Sequence, residues 1–136
     1  MKNTRLLALT LICALLLALV ACAPADPWQS ATYTTDTEIG EGDTTFYLDV
    51  IVGENKVTFT IGTDETILAD ALTGSGIVSG DDGPYGLYIK VVNGITADYD
   101  VDASYWSLTV GGEYSMAGAS DITITDGAHY ELTYSK

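Results

Sequence analysis

The chain has 136 residues, 19 acidic side chains against five basic ones, and a formal charge of −14. That length allows one small domain rather than several. A surface this acidic repels nucleic acid, whose binding depends on neutralising phosphates with Lys and Arg, and argues against it as a partner.

The amino terminus is the first element. Lys2 and Arg5 form a cationic front, and residues 6–20 are apolar except for Thr10. The run has the length of a signal-peptide core and falls short of the roughly 20 residues that a membrane-spanning helix needs. It ends in Leu19-Val20-Ala21-Cys22, the pattern of a bacterial lipobox. Small residues fit the peptidase cleft, and the thiol is nucleophilic enough to take a diacylglycerol. Residues 1–21 are therefore expected to be a lipoprotein signal peptide, with lipidation at Cys22. An ordinary signal peptide that happens to carry a cysteine near its end is the competing reading. Acyl chains on Cys22 would hold the protein outside the cell membrane, an extracytoplasmic location. Past residue 21 only Lys56, Lys90 and Lys136 face all 19 acidic residues, a formal charge of −16. Anionic headgroups would repel such a chain, so the anchor has to be covalent. Cys13 leaves with the signal peptide, and Cys22 is the only other cysteine. The mature fold then has no thiol for a zinc cluster, a redox dithiol or a nucleophile.

Residues 22–43, rich in Thr, Asp, Gly and Ala, show no sustained period and are expected to form a flexible tether. The domain is expected over 44–136. Phe46, Leu48, Val50 and Val52 share one strand face, and Val57, Phe59 and Ile61 share the next. Gly53-Glu54-Asn55 joins these strands as a hairpin. Over 63–73, Thr63, Asp64 and Glu65 suit a helix start, Ile67, Leu68, Ala71 and Leu72 form a helical stripe, and Gly74 suits its end. Residues 87–92 alternate into an Asn93-Gly94 turn. Trp106, Leu108 and Val110 alternate into Gly111-Gly112. Ile122 and Ile124 precede an Asp126-Gly127 turn, and Tyr130, Leu132 and Tyr134 close the chain. A hairpin, one short helix and further strands predict an α+β, β-grasp-like domain with a mostly antiparallel or mixed sheet.

Enzyme signatures are missing, and no catalytic residue or catalytic cofactor is assigned. The single histidine, His129, reads as a solvated strand residue. Ser75 sits in Thr-Gly-Ser-Gly without a G-x-S-x-G pattern, so a turn or helix cap explains it. Neither a phosphate-binding loop nor H-E-x-x-H is present. Asp98, Asp100 and Asp102 alternate as calcium ligands do, yet Ala103 and Thr109 stand where an EF-hand loop has Gly and Glu. A solvated acidic loop explains them more simply, and no metal site is assigned. The second half is rich in Tyr and Trp, which suit binding surfaces by joining an apolar face to a polar edge. Tyr85, Tyr105, Trp106 and Tyr114 lie beside Gly-rich turns and are expected at a loop rim, whereas Tyr130 and Tyr134 are expected in the core.

The order of these segments carries a resemblance. Residues 83–95 (Gly-Pro-Tyr-Gly-Leu-Tyr-Ile-Lys-Val-Val-Asn-Gly-Ile), Tyr105-Trp106-Ser107-Leu108, Gly118-Ala119-Ser120-Asp121 and the Asp126-Gly127 turn before Tyr130-Glu131-Leu132 resemble the C-terminal domain of transcobalamin and intrinsic factor. That resemblance covers 44–136 and implies a β-grasp-like domain that covers one face of cobalamin. By position it implies Tyr105 and Trp106 as an aromatic pair and Tyr114, Met116 and Gly118 in a loop near the ligand. The helical domain of the animal carriers has no counterpart here, and His129 is the only histidine that could meet cobalt. The expected function is capture of a small ligand, cobalamin or another corrinoid, with a transporter component as the receiving partner. One wall leaves much of such a ligand wet, so weak affinity, dimerisation or a partner is implied. The alternative is a cell-surface interaction or adhesion module without a small ligand.

Overall fold

The computed structural model describes residues 24–136; the expected signal peptide and Cys22 lie outside the described residues. Strict alternation produces the longest strands. β2 (Thr44–Val52) and β3 (Asn55–Thr63) pair antiparallel, from Thr44 opposite Thr63 to Val52 opposite Asn55. Gly53 has a φ of +60° and Glu54 a negative one. A glycine first in a two-residue turn suits the right-handed twist of the hairpin.

The hairpin is the middle of a six-stranded sheet ordered β1-β3-β2-β9-β7-β8. Its other members are β1 (Thr37–Ile39), β7 (Tyr105–Val110), β8 (Glu113–Tyr114) and β9 (His129–Ser135). β2 runs parallel to β9 and β1 parallel to β3, while the remaining pairs are antiparallel. A second, antiparallel sheet joins β4 (Val78–Gly83), β5 (Gly86–Val92) and β6 (Ile95–Thr96) in that order. Helix α1 (Leu68–Gly74) and this second sheet cover one face of the large sheet. Between them lie Phe46, Leu48, Val50, Val57, Phe59 and Leu132, all with no exposed surface. Each such side chain contributes about 1.5–3 kcal/mol on burial. A hairpin, a helix and a last strand parallel to the first hairpin strand form the small α+β, β-grasp-like arrangement expected from the sequence.

Several boundaries differ. α1 begins at Leu68, because Thr63 still pairs in β3 and Ile67, the cap residue, makes no side-chain capping bond. Asp64 instead accepts from Asp43 N–H at 2.9 Å, and Leu68 N–H donates to the Ile122 carbonyl at 2.9 Å. The helix end is turned by Gly76, at φ +77°, rather than by Gly74. Ser75 closes the helix there: its Oγ donates to the Leu72 carbonyl and accepts from Ile77 N–H. One helical turn more than expected is present, α2 (Tyr99–Asp102). Ile122 and Ile124 are not in a strand; a 3-10 turn (Ala119–Asp121) precedes them, and Thr123 makes a lone bridge to Ile67.

Much of the segment expected to be a tether lies on the domain. A 3-10 turn (Pro27–Ser30) is capped by Asp26, and Trp28 packs against the core. Asn93 then clamps the main chain of Tyr33, its Oδ1 accepting from Tyr33 N–H and its Nδ2 donating to the Tyr33 carbonyl, each at 2.8 Å. The Tyr33 ring meets Phe59 edge-on, Asp36 accepts from Thr58 N–H, and β1 adds itself to β3. The sequence-level reading failed here because these bonds use backbone and short polar side chains, which leave no hydrophobic period.

Candidate functional site

A cleft opens where the β4–β5 turn faces the stretch between β8 and the Ala119–Asp121 turn. Its larger lobe, about 500 Å³, is lined by residues 83–88, Met116, Ala117, Gly118 and Asp121. A smaller lobe of about 270 Å³ adds Ile89, Trp106, Leu108 and Tyr114. The two share Leu87, Tyr88, Met116, Ala117 and Gly118, so they form one continuous surface.

Local geometry fixes its walls. Gly86 has a φ of +94°, and a Cβ there would overlap Ser120 Oγ. The missing side chain lets Ser120 approach and accept from Leu87 N–H at 2.9 Å. That bond ties the two walls together. Opposite it, Ser115 orders the loop by donating to the Ala117 carbonyl and accepting from Ala117 N–H. Gly118 has no such necessity: its φ is −74°, and an added Cβ would meet only the Tyr85 carbonyl, at 3.9 Å.

Of the residues expected at the site, Tyr85, Trp106, Tyr114, Met116 and Gly118 line the cleft and Tyr105 does not. Tyr85 is 90% exposed, Met116 95% and Tyr114 68%, so these stand at the rim. Trp106 is not a rim residue. It is only 8% exposed, donates from Nε1 to the Lys90 carbonyl and meets Tyr134 edge-on, forming part of the floor. Its indole belongs to the core because Trp106 shares the inward face of β7 with Leu108 and Val110. Tyr105 alternates to the other face, where its ring lies 6.4 Å from Tyr99. His129 likewise lies outside the cleft lining and stacks on Tyr47 at 4.6 Å. Sequence reasoning missed Leu87, Tyr88 and Ser120 as site residues. The alternation of Leu87 and Tyr88 reads as ordinary strand, and no local pattern reports the Ser120 contact across 33 positions.

Electrostatically the cleft has one sign. Asp121 lines the larger lobe, while Lys56, Lys90 and Lys136 line neither and pair with Asp49, Asp81 and Asp102 at 3.3, 2.7 and 3.4 Å. The hydrogen bond and charge of Asp81 hold the Lys90 ammonium above its ordinary pKa. Hydrogen bonds from Ser104 hold the Asp102 carboxyl below its own. Two of the three aspartates that alternate like calcium ligands are thus engaged locally, Asp102 with Ser104 and Asp98 through its Oδ1, which accepts from Asp100 N–H to start α2. Among the described residues, no three His, Cys, Asp or Glu side chains gather as a metal-ligand set. No helix among them is long and apolar enough to cross a membrane.

Solved structures place this geometry among relatives. A protein of Ruminococcus gnavus ATCC 29149, to which metal binding has been ascribed, is 33% identical, with a TM-score of 0.64 over 69% of this chain and 98% of its own. Haptocorrin in complex with Cbi is 23% identical, with a TM-score of 0.51 over 68% of this chain. The chain spans 25% of haptocorrin, and the likeness supports the transcobalamin-like resemblance at the level of fold. A search of curated proteins found no match. The model of a domain of unknown function, DUF4430, matches residues 64–136, which holds both walls and the floor of the cleft. The chain belongs to the DUF4430 family.

Proposed function

We propose that this protein is an extracytoplasmic lipoprotein, anchored through Cys22, that captures a corrinoid in the cleft and passes it to an uptake system. The observation that carries the ligand-binding part is the grouping of exposed Tyr85, Tyr114 and Met116 around a floor of Trp106 and Leu108. Exposed apolar groups gathered around a concavity mark binding sites, whereas scattered ones do not. Haptocorrin, which shares the fold, was solved with Cbi, and this supports a corrinoid as the ligand. No covalent chemistry is required of the chain: ring contacts and loop backbone would supply the binding. An open cleft covers one face of so large a ligand, so modest affinity or a second partner follows.

Calorimetry and tryptophan fluorescence with cobinamide and cobalamin test the reading. Trp28→Phe removes the other indole, so quenching that persists in this variant reports Trp106. Heat and quenching that saturate support corrinoid capture. Absence of both up to about 1 mM ligand, where binding would be worth only about −4 kcal/mol, overturns it. The same exposed aromatic cluster suits a cell-surface protein partner, and that reading would then take its place. The anchor is tested separately by metabolic labelling with a fatty-acid analogue, which Cys22→Ser should abolish.

A further inference from the structure

Resting on the reading that the cleft binds a ligand, we infer that it selects flat, largely apolar ligands bearing positive charge and discriminates against anionic ones. Three independent features support this. Asp121 is the one charged residue lining the cleft. Tyr85 and Tyr88 line the same lobe and Tyr114 the adjoining one, and all three offer aromatic faces, which attract cations through the ring quadrupole. Each lysine among the described residues lies outside the cleft lining and is paired with an aspartate; Lys90, next but one to Tyr88, is held by Asp81 at 2.7 Å.

The surrounding surface acts in the same direction. With three lysines against 19 acids beyond residue 21, the field repels an approaching anion before contact. The local and general effects are separable because Asp121 touches the cleft, whereas Glu54 lies in the β2–β3 turn, outside the cleft lining.

Three naphthalene probes of matched size, carrying trimethylammonium, hydroxymethyl or sulfonate, provide the test by calorimetry on the full chain at low ionic strength. The expected order of affinity is ammonium, then hydroxymethyl, then sulfonate. Asp121→Asn should lower the ammonium-to-sulfonate ratio by about two- to five-fold, the range of a partly exposed charge pair. Glu54→Gln should leave that ratio unchanged. Equal binding of ammonium and sulfonate overturns the inference. So does a ratio that Glu54→Gln shifts as far as Asp121→Asn, because the selection would then belong to the whole surface. Failure of all three probes overturns the inference, and the cleft as a binding site falls with it where corrinoids fail as well. Failure of corrinoids alone, with the ammonium probe bound, removes the corrinoid and leaves the charge selection standing.

Discussion

Trp106 shows how a single residue serves two ends. Its ring is part of the core and part of the cleft floor, so truncation damages both. Trp106→Ala should cost about 3–5 kcal/mol in denaturant unfolding, as large-to-small core changes do. Loss of binding in that variant would therefore say little about contact with ligand. Tyr114→Ala and Tyr85→Ala are the better probes. Both side chains are mostly exposed, so unfolding should move by no more than about 0.5 kcal/mol while ligand affinity falls. Ser120 acts at one remove. Ser120→Ala should cost about 1–3 kcal/mol by leaving Leu87 N–H without its acceptor, and hydrogen exchange at that amide should accelerate.

At the scale of elements, the test falls on the amino-terminal strap. Asn93 is 1% exposed and adopts a φ of +52°, which its short polar side chain tolerates better than most. Asn93→Ala removes both clamp bonds and places alanine in the left-handed region, so a loss of about 2–4 kcal/mol is expected. Proteolysis between Ala31 and Ile39 should then become fast, while the hairpin core stays protected. These elements also mark what was legible beforehand. β2, β3 and β9 were readable because their inward side chains alternate, and the Asn93-Gly94 turn because both residues take positive φ. β4 was not, since five of its six residues are exposed and its register shifts between Ser79 and Gly80. Ile122 and Ile124 misled for the opposite reason: both pack on the core, but their backbone bonds go to Leu68 and Thr66 instead of a ladder. The aromatic rim could be listed from the sequence, but its grouping could not. Whether Tyr105 or Tyr88 faces the cleft depends on strand register and on contacts between distant segments.

For the whole molecule, charge is the governing quantity. Self-repulsion among 19 acids should make thermal stability rise with added salt near pH 7, in contrast to a chain held by surface ion pairs. Two groups add to the dependence of stability on pH. Asp102 is held below its ordinary pKa, so its contribution is present above the unfolded value and is lost as pH falls through the folded one. Lys90 is held above its ordinary pKa, so its contribution is present below the unfolded value and is lost as pH rises through the folded one. Asp102→Asn should therefore lessen the acid limb of a stability profile slightly, and Lys90→Met the alkaline limb, as expected of exposed pairs.

The docked strap also limits how far the domain can stand from an attachment point. Asp26 and Pro27 sit beside Val52–Asn55 and Tyr134, where β2 and β9 end, and Tyr134 in turn pairs with Trp106 of the cleft floor. Only four positions separate Asp26 from Cys22, a reach of roughly 14 Å at full extension. With Cys22 as the proposed attachment, the leash is short. An attached domain would then be confined close to the bilayer, and whatever it releases would be released beside the membrane.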